Sequence, residues 1–280
     1  MRAVGGDCLR ALHPGRGALN EPPLSASEGA SKGGRTSDRA ALVSDSHRRP
    51  AMTVDLYFTT GSPPCTFVRV LAKKLGVPLT LHKIDLMAKE QLKPEFVKLN
   101  PQHTVPTIND NGFVLWESRA IAMYLLEKYA PDSPLYPKDI QKRALVNRLV
   151  FFESGSFYQA QMGYFRPRWF KGQEPGGDLK ETYDKALANA VTLLGDNQFL
   201  AGDTLTLADV GFVCSLGIAI EGAEYEGMDQ FPKLIEYYGR VKAALPEYDE
   251  EAAEPVGLIR QMIARAKSGQ KVHGPPTDSK

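Results

Sequence analysis

Cysteine is scarce: positions 8, 65 and 214 hold the only three in 280 residues. An odd, scattered set builds no disulfide framework, no C-x-x-C pair offers a structural zinc site, and such usage points to the cytoplasm. Long apolar runs are missing as well. The longest uncharged, mostly apolar stretch, Val210 to Ile220, has 11 residues and contains Gly211 and Gly217, against about 20 for a bilayer-spanning helix. Charge of one sign is not in excess either: 34 Lys plus Arg face 33 Asp plus Glu. That balance removes the basic field of most nucleic-acid binders. With 42% apolar residues there is ample material for a core in one large or two ordinary domains.

The first 51 residues lack aromatics altogether; all 25 lie further on. This segment holds seven Gly, six Ser, four Pro and eight Ala, and a net charge of +3 from eight basic and five acidic residues. Such a composition buries too little surface to offset its ordering entropy. It lacks the apolar core of a secretory signal, and its five acids argue against a mitochondrial leader. The expectation is a disordered extension, or a leader translated upstream of Met52. Residues 267–280 are expected to form a loose tail.

From Met52 to about Ala130, short apolar runs alternate with helical patterns. Strands are expected over Val54 to Phe58, Leu79 to Ile84, Val105 to Ile108 and Phe113 to Trp116, and helices over Pro64 to Leu75, Gln91 to Leu99 and Glu117 to Tyr129. Asp110-Asn111-Gly112 is a hairpin signal. A β-α-β unit, a hairpin and a helix give a small mixed sheet flanked by helices. After a linker over 131–137 carrying Pro131, Pro134 and Pro137, residues 138–266 read as all helical. Helices are expected at Lys138 to Tyr164, Asp178 to Leu194, Leu207 to Ile220, Phe231 to Ala244 and Glu247 to Ala266. Thr206 and Asp209 form a capping-box pattern at the start of the third.

Three segments suggest chemistry. Gly61-Ser62-Pro63-Pro64-Cys65 places a hydroxyl at a helix N-terminus, whose amides and dipole favour an anion such as a thiolate; a plain N-cap is the alternative. Asn100-Pro101-Gln102-His103-Thr104-Val105-Pro106 runs into a strand, where Pro106 calls for an edge, a bulge or a cis bond; Val105 would then offer its backbone outward. Glu117-Ser118-Arg119 opens the next helix with charges of both signs, suited to the carboxylate and ammonium of an amino acid. Each has a bland reading as ordinary local structure.

In combination these segments resemble the glutathione transferases of the delta and epsilon classes, in the forms G-S-P-P-C, N-P-Q-H-T-V-P and W-E-S-R-A-I. The likeness continues through Leu135-Tyr136-Pro137-Lys138-Asp139, residues 142–146 and Ala201 to Asp209, covering about Thr53 to Arg265. The resemblance implies a thioredoxin-like N-terminal domain and an all-α C-terminal domain, forming a homodimer. It implies an enzyme that conjugates reduced glutathione, as co-substrate and with no metal or other cofactor, to hydrophobic electrophiles; a non-catalytic carrier of apolar ligands on the same fold is the alternative. Neither a nucleic-acid partner nor a membrane span is expected.

By this resemblance Ser62 is the catalytic hydroxyl, donating to the glutathione sulfur. His103 holds the glycine end, the Val105 backbone pairs with the cysteinyl unit beside a cis Pro106, and Glu117, Ser118 and Arg119 hold the γ-glutamyl end; Thr104 and Pro106 also belong to the glutathione site. Glu153 supports that network. Gln91 stands where many relatives carry a second histidine, with Lys93 as another donor for the glycine carboxylate. Tyr158, Met162, Phe165, Trp169 and Phe170 would wall the electrophile pocket. Cys65 has the spacing of a redox C-x-x-C, but Ser62 occupies the attacking position, which disfavours disulfide exchange.

Overall fold

A computed structural model describes residues 53–268; the expected leader, and the tail beyond residue 268, lie outside the described residues. β1 (Val54–Phe58) runs parallel to β2 (Leu79–Lys83), joined by α1 (Pro63–Lys74). The inward residues of β1, Val54, Leu56 and Phe58, pack against Cys65, Val68 and Ala72 of α1. The other side of α1 puts Phe67, Val70 and Leu71 into a second core built by the helical half. At roughly 2 kcal/mol per fully buried large side chain, this two-faced helix fastens the sheet to the helices. Ser62 sits at its head.

A 3₁₀ turn (Glu90–Leu92) and the short α2 (Pro94–Leu99) lead to β3 (Thr107–Asp110) and β4 (Phe113–Trp116), both antiparallel, in a sheet of order β2-β1-β3-β4. β3 starts two residues later than the alternation predicts. It is an interior strand, and Pro106, without an N–H, therefore stands ahead of the ladder behind a cis Val105–Pro106 bond. Asn111 and Gly112 close the hairpin with φ of 54° and 92°, as a two-residue turn of matching twist requires. α3 (Ser118–Tyr129) buries Ile121, Ala122, Leu125 and Leu126.

In the helical half, α4 (Ile140–Phe152), a π-helical turn (Glu153–Phe157) and α5 (Tyr158–Lys171) form one run. It passes the expected end at Tyr164 and continues through Pro167 to Gly172, whose φ of 59° stops it. α6 (Gly177–Leu194), α7 (Leu207–Gly217), α8 (Pro232–Ala244) and α9 (Glu247–Lys267) follow, with a second π-helical turn (Ile218–Gly222) after α7. Every residue of α7 is buried, so the apolar stretch is the central core helix. The capping box at Thr206 is present, and Asp209 also accepts from the Leu200 N–H and the Tyr237 hydroxyl, both at 2.8 Å. Among the described residues no helix is long and apolar enough to cross a membrane, and no group of His, Cys, Asp and Glu side chains is placed to hold a metal.

Asp110, at the end of β3, is the buried anchor of the hairpin. Its carboxylate accepts from Tyr124 Oη at 2.8 Å, Tyr129 Oη at 2.6 Å and Lys128 Nζ at 2.7 Å. Burial pushes its pKa up, but Lys128, Tyr129, Tyr124 and Asn111 together outweigh this and hold it at about 2, below the ordinary 3.8. A carboxyl depressed in the folded state stabilises above its unfolded pKa, and that contribution disappears as pH falls through the folded value. The shift corresponds to about 2 kcal/mol. Asp110→Asn should therefore be less stable than wild type in urea at pH 7, with the gap narrowing between pH 4 and pH 2; a gap independent of pH would refute this account.

Candidate functional site

Strand register brings the three suspect segments together. Tyr57 at the carboxyl end of β1 pairs with Thr107 at the start of β3, and Thr107 pairs with Trp116 at the end of β4. The chain after β1, the chain before β3 and the chain after β4 thus meet at one sheet edge. Ser62, His103 to Pro106 and Glu117 to Arg119 occupy those three stretches.

At the first, Gly61 turns with φ of 84° and Ser62 stays extended at φ −92°, ψ 113° ahead of α1. The Ser62 carbonyl accepts from the Thr66 N–H at 2.9 Å and the Thr66 hydroxyl at 3.2 Å. Its hydroxyl makes no capping bond among the described residues, so the plain N-cap reading does not describe it. Pro63 and Pro64 fill the first two helical positions, which leaves the Cys65 amide as the first N–H of the helix. The expected ring of free amides is thereby reduced, and the hydroxyl is the more prominent donor. Cys65 itself is 1% exposed. Burial pushes its thiol up to about 11, with the Ser62 side chain, the Thr59 backbone and Arg69 pulling weakly the other way.

The second stretch is held by Asn100, which sequence reasoning gave no role. Fully buried, it donates from Nδ2 to the Thr104 carbonyl (3.1 Å), Thr104 Oγ1 (3.1 Å) and Thr107 Oγ1 (2.9 Å), and its Oδ1 accepts from the Gln102 N–H at 2.9 Å. An Asn between a helix end and a Pro is a turn signal, and that was the available hint. The loop so clamped carries His103, half-buried with φ of 45°, exposed Thr104, half-buried Val105 and buried Pro106. Among the described residues no backbone hydrogen bond uses the N–H or carbonyl of Val105.

At the third, Glu117 is exposed with φ of 69°, and Ser118 is buried. Arg119 donates from Nε to Glu153 Oε2 at 3.0 Å, makes a closer contact with the same oxygen from Nη2, and reaches Ser118 Oγ from Nη1 at 2.7 Å. Glu153, 2% exposed, opens the π-helical turn and accepts from Ser215 Oγ of α7 at 2.5 Å. Ser215 was missed because it lies inside the apolar stretch.

Known proteins share this architecture. The glutathione S-transferase N-terminal domain family matches residues 56–133, and the glutathione S-transferase C-terminal domain family matches residues 169–248. A delta-class glutathione transferase of Nilaparvata lugens is 43% identical with a TM-score of 0.72, over 76% of this chain and 99% of its own. An epsilon-class glutathione S-transferase of the housefly, Musca domestica, is 33% identical with a TM-score of 0.69, over 79% of this chain and 100% of its own. A diazinon-metabolizing glutathione S-transferase of the silkworm, Bombyx mori, is 28% identical with a TM-score of 0.68, over 75% and 100%. The chain belongs to the glutathione S-transferase family.

In this glutathione S-transferase the N-terminal domain is thioredoxin-like and the C-terminal domain helical. Of the residues expected to wall the electrophile pocket, Met162, Phe165 and Trp169 belong to the helical core. Phe165 stacks on Trp169 at 5.2 Å and meets Tyr183 edge-on at 5.5 Å. Phe170 is half-buried. Tyr158 is half-buried beside Arg119, whose guanidinium lies 5.8 Å from its ring centre; burial pushes its phenol up to about 12, against Arg166 and Arg119. Of the five, Met162, Phe165 and Trp169 are thus buried in the core, while Tyr158 and Phe170 pack against it and stay partly exposed, a division that spacing does not resolve. Gln91 is half-buried with its Oε1 enclosed and unpartnered among the described residues, while Lys93 is tied to Glu90 at 2.8 Å.

Removing one side of a buried ion pair strands the other charge, at about 3–5 kcal/mol. Glu153→Ala should therefore lose about 3 kcal/mol in urea unfolding; a loss under about 0.5 kcal/mol would show that Arg119 needs no partner there. Because burial raises the thiols of both Cys65 and Cys214, native protein at pH 7.5 should leave both unmodified by iodoacetamide. Rapid labelling of Cys65, mapped by peptide mass spectrometry, would reopen the redox reading.

Proposed function

We propose that this protein conjugates reduced glutathione to apolar electrophiles, with the Ser62 hydroxyl donating to the tripeptide's sulfur. A free thiol with a pKa near 8.5 is mostly protonated at pH 7. A donor aimed at the sulfur favours the thiolate, and a shift of about two units asks for roughly 2.7 kcal/mol. One charge-assisted hydrogen bond together with a helix dipole can supply that. The thiol proton passes to solvent. The sulfur lone pair then forms a C–S bond while the leaving group departs with its electron pair, or, in an addition, the acceptor takes a proton from water.

The observation that carries this reading is the Ser62 hydroxyl, free of capping duty at the head of α1, where the neighbouring prolines offer no N–H of their own. Val105, whose backbone donor and acceptor are unused among the described residues, supplies both for the cysteinyl unit. Glu117 and Ser118 suit the ammonium and carboxylate of the γ-glutamyl end, with Arg119 and Glu153 holding that wall, and His103 faces the glycine end. Tyr158 and Phe170 offer apolar surface to the electrophile. The protein works as a cytoplasmic homodimer, and exposed Phe113, Leu145 and Phe151 are apolar surface suited to a second copy.

Ser62→Ala, assayed at pH 6.5 with glutathione and 1-chloro-2,4-dinitrobenzene, should lose about 10²-fold in kcat, the usual cost of one preorganised donor, with little change in KM for glutathione. Turnover equal to wild type would remove Ser62 from the mechanism.

A further inference from the structure

The C-terminal helix lies against the catalytic turn. Leu258 Cδ2 stands 3.1 Å from the point a Cβ on Gly61 would occupy. Thr60 Oγ1 donates to Glu254 Oε1 at 3.3 Å. Thr60 thus bonds α9 and Gly61 faces Leu258 with little room for a side chain between them, and the small crevice here is lined by Gly61, Pro63 and Thr66 on one side and Ala252 and Val256 on the other.

The same helix is fastened to the thioredoxin-like domain by a row of opposite charges. Arg69 pairs with Glu251 at 2.6 Å, with side chains 13% and 17% exposed. Lys73 meets both Glu250 and Glu251, Lys74 reaches Glu247 at 3.3 Å, and Lys83 reaches Glu254 at 3.6 Å. Residues 247, 250, 251, 254 and 258 fall at i, i+3, i+4, i+7 and i+11, one face of a helix. Acids and Leu258 therefore form one stripe, its acidic end on α1 and β2 and its apolar end on Gly61. Exposed pairs contribute little singly, but a row along one stripe sets the axial position of the helix, and the Arg69–Glu251 pair is largely shielded from solvent.

We propose that α9 is the positioning element of the Ser62 turn: Leu258 and Glu254 fix Gly61 and Thr60, and the ion-pair row holds α9 where they can do so. This rests on the role given to Ser62 above. A displaced turn leaves glutathione's binding groups in place but misaims the hydroxyl, so the loss falls on thiolate formation.

The test is steady-state conjugation of 1-chloro-2,4-dinitrobenzene across pH 5.5–8.5 with the full chain. Leu258→Ala should lower kcat about tenfold through misplacement of the donor. It should keep KM for glutathione within about twofold and move the acid limb of the kcat profile to higher pH, while Leu258→Met restores most of the loss. Glu251→Arg should act likewise, and the exchange Arg69→Glu with Glu251→Arg should recover activity. A folded Leu258→Ala with wild-type kcat and an unmoved pH limb, or a loss confined to KM, overturns the inference; if that variant does not fold, the charge exchange decides by the same readouts, and failure of the double variant to recover overturns it. Wild-type protein inactive toward glutathione would instead overturn the function itself, and this role with it.

Discussion

A buried carboxylate between two structural halves has to be neutralised where it stands, because an uncompensated charge away from water costs several kcal/mol. Glu153 is that carboxylate. It draws Arg119 from the start of α3 and Ser215 from the middle of α7 onto its two oxygens. Arg119 in turn reaches Ser118, and Gln161 bonds the Ser215 carbonyl at 2.8 Å and the Tyr183 hydroxyl at 3.2 Å, deep in the helical core. One connected polar chain thus runs from that core to the sheet edge. The helix run that carries Glu153 widens to a π-helical turn at this residue, a feature often found at functional sites.

Around that anchor the chemistry is divided between parts that are rigid for different reasons. Sheet register aligns three chain ends, α1 is locked by cores on both sides, and Asn100 clamps the loop before β3. Two prolines fill the first two positions of α1, so the first N–H that the helix offers beside the Ser62 hydroxyl is that of Cys65. Cys65, one turn on, is too buried and too weakly acidic to compete as a nucleophile.

Much of the fold was legible because its periodicities are strong. β1 and β4 lie where alternation places them, and the Asn111-Gly112 turn follows from local chemistry alone. The start of β3 was not legible. Alternation counted Val105 and Pro106 as strand, whereas a proline at an interior ladder position has no donor to give. The long helix runs past the expected end at Tyr164, through Pro167, because Phe165 and Trp169 pack into the aromatic core. Candidate residues with polar side chains at turns, Ser62, His103 and Glu117, stand out in the sequence. Asn100 and Ser215 do not: Asn100 reads as an ordinary turn residue until its bonds to residues 2 to 7 positions on are seen, and nothing local marks a serine in an apolar helix as a partner for a carboxylate 62 residues away.

The ionisation of the bound tripeptide reports on the Ser62 hydroxyl without the complication of electrophile binding or product release. Titrating thiolate absorbance near 240 nm in the binary complex should give a sulfur pKa about two units below that of the free thiol in wild type, returning to near 8.5 in Ser62→Ala. The same lowered value in both proteins would contradict the assignment and place the stabilising donor elsewhere.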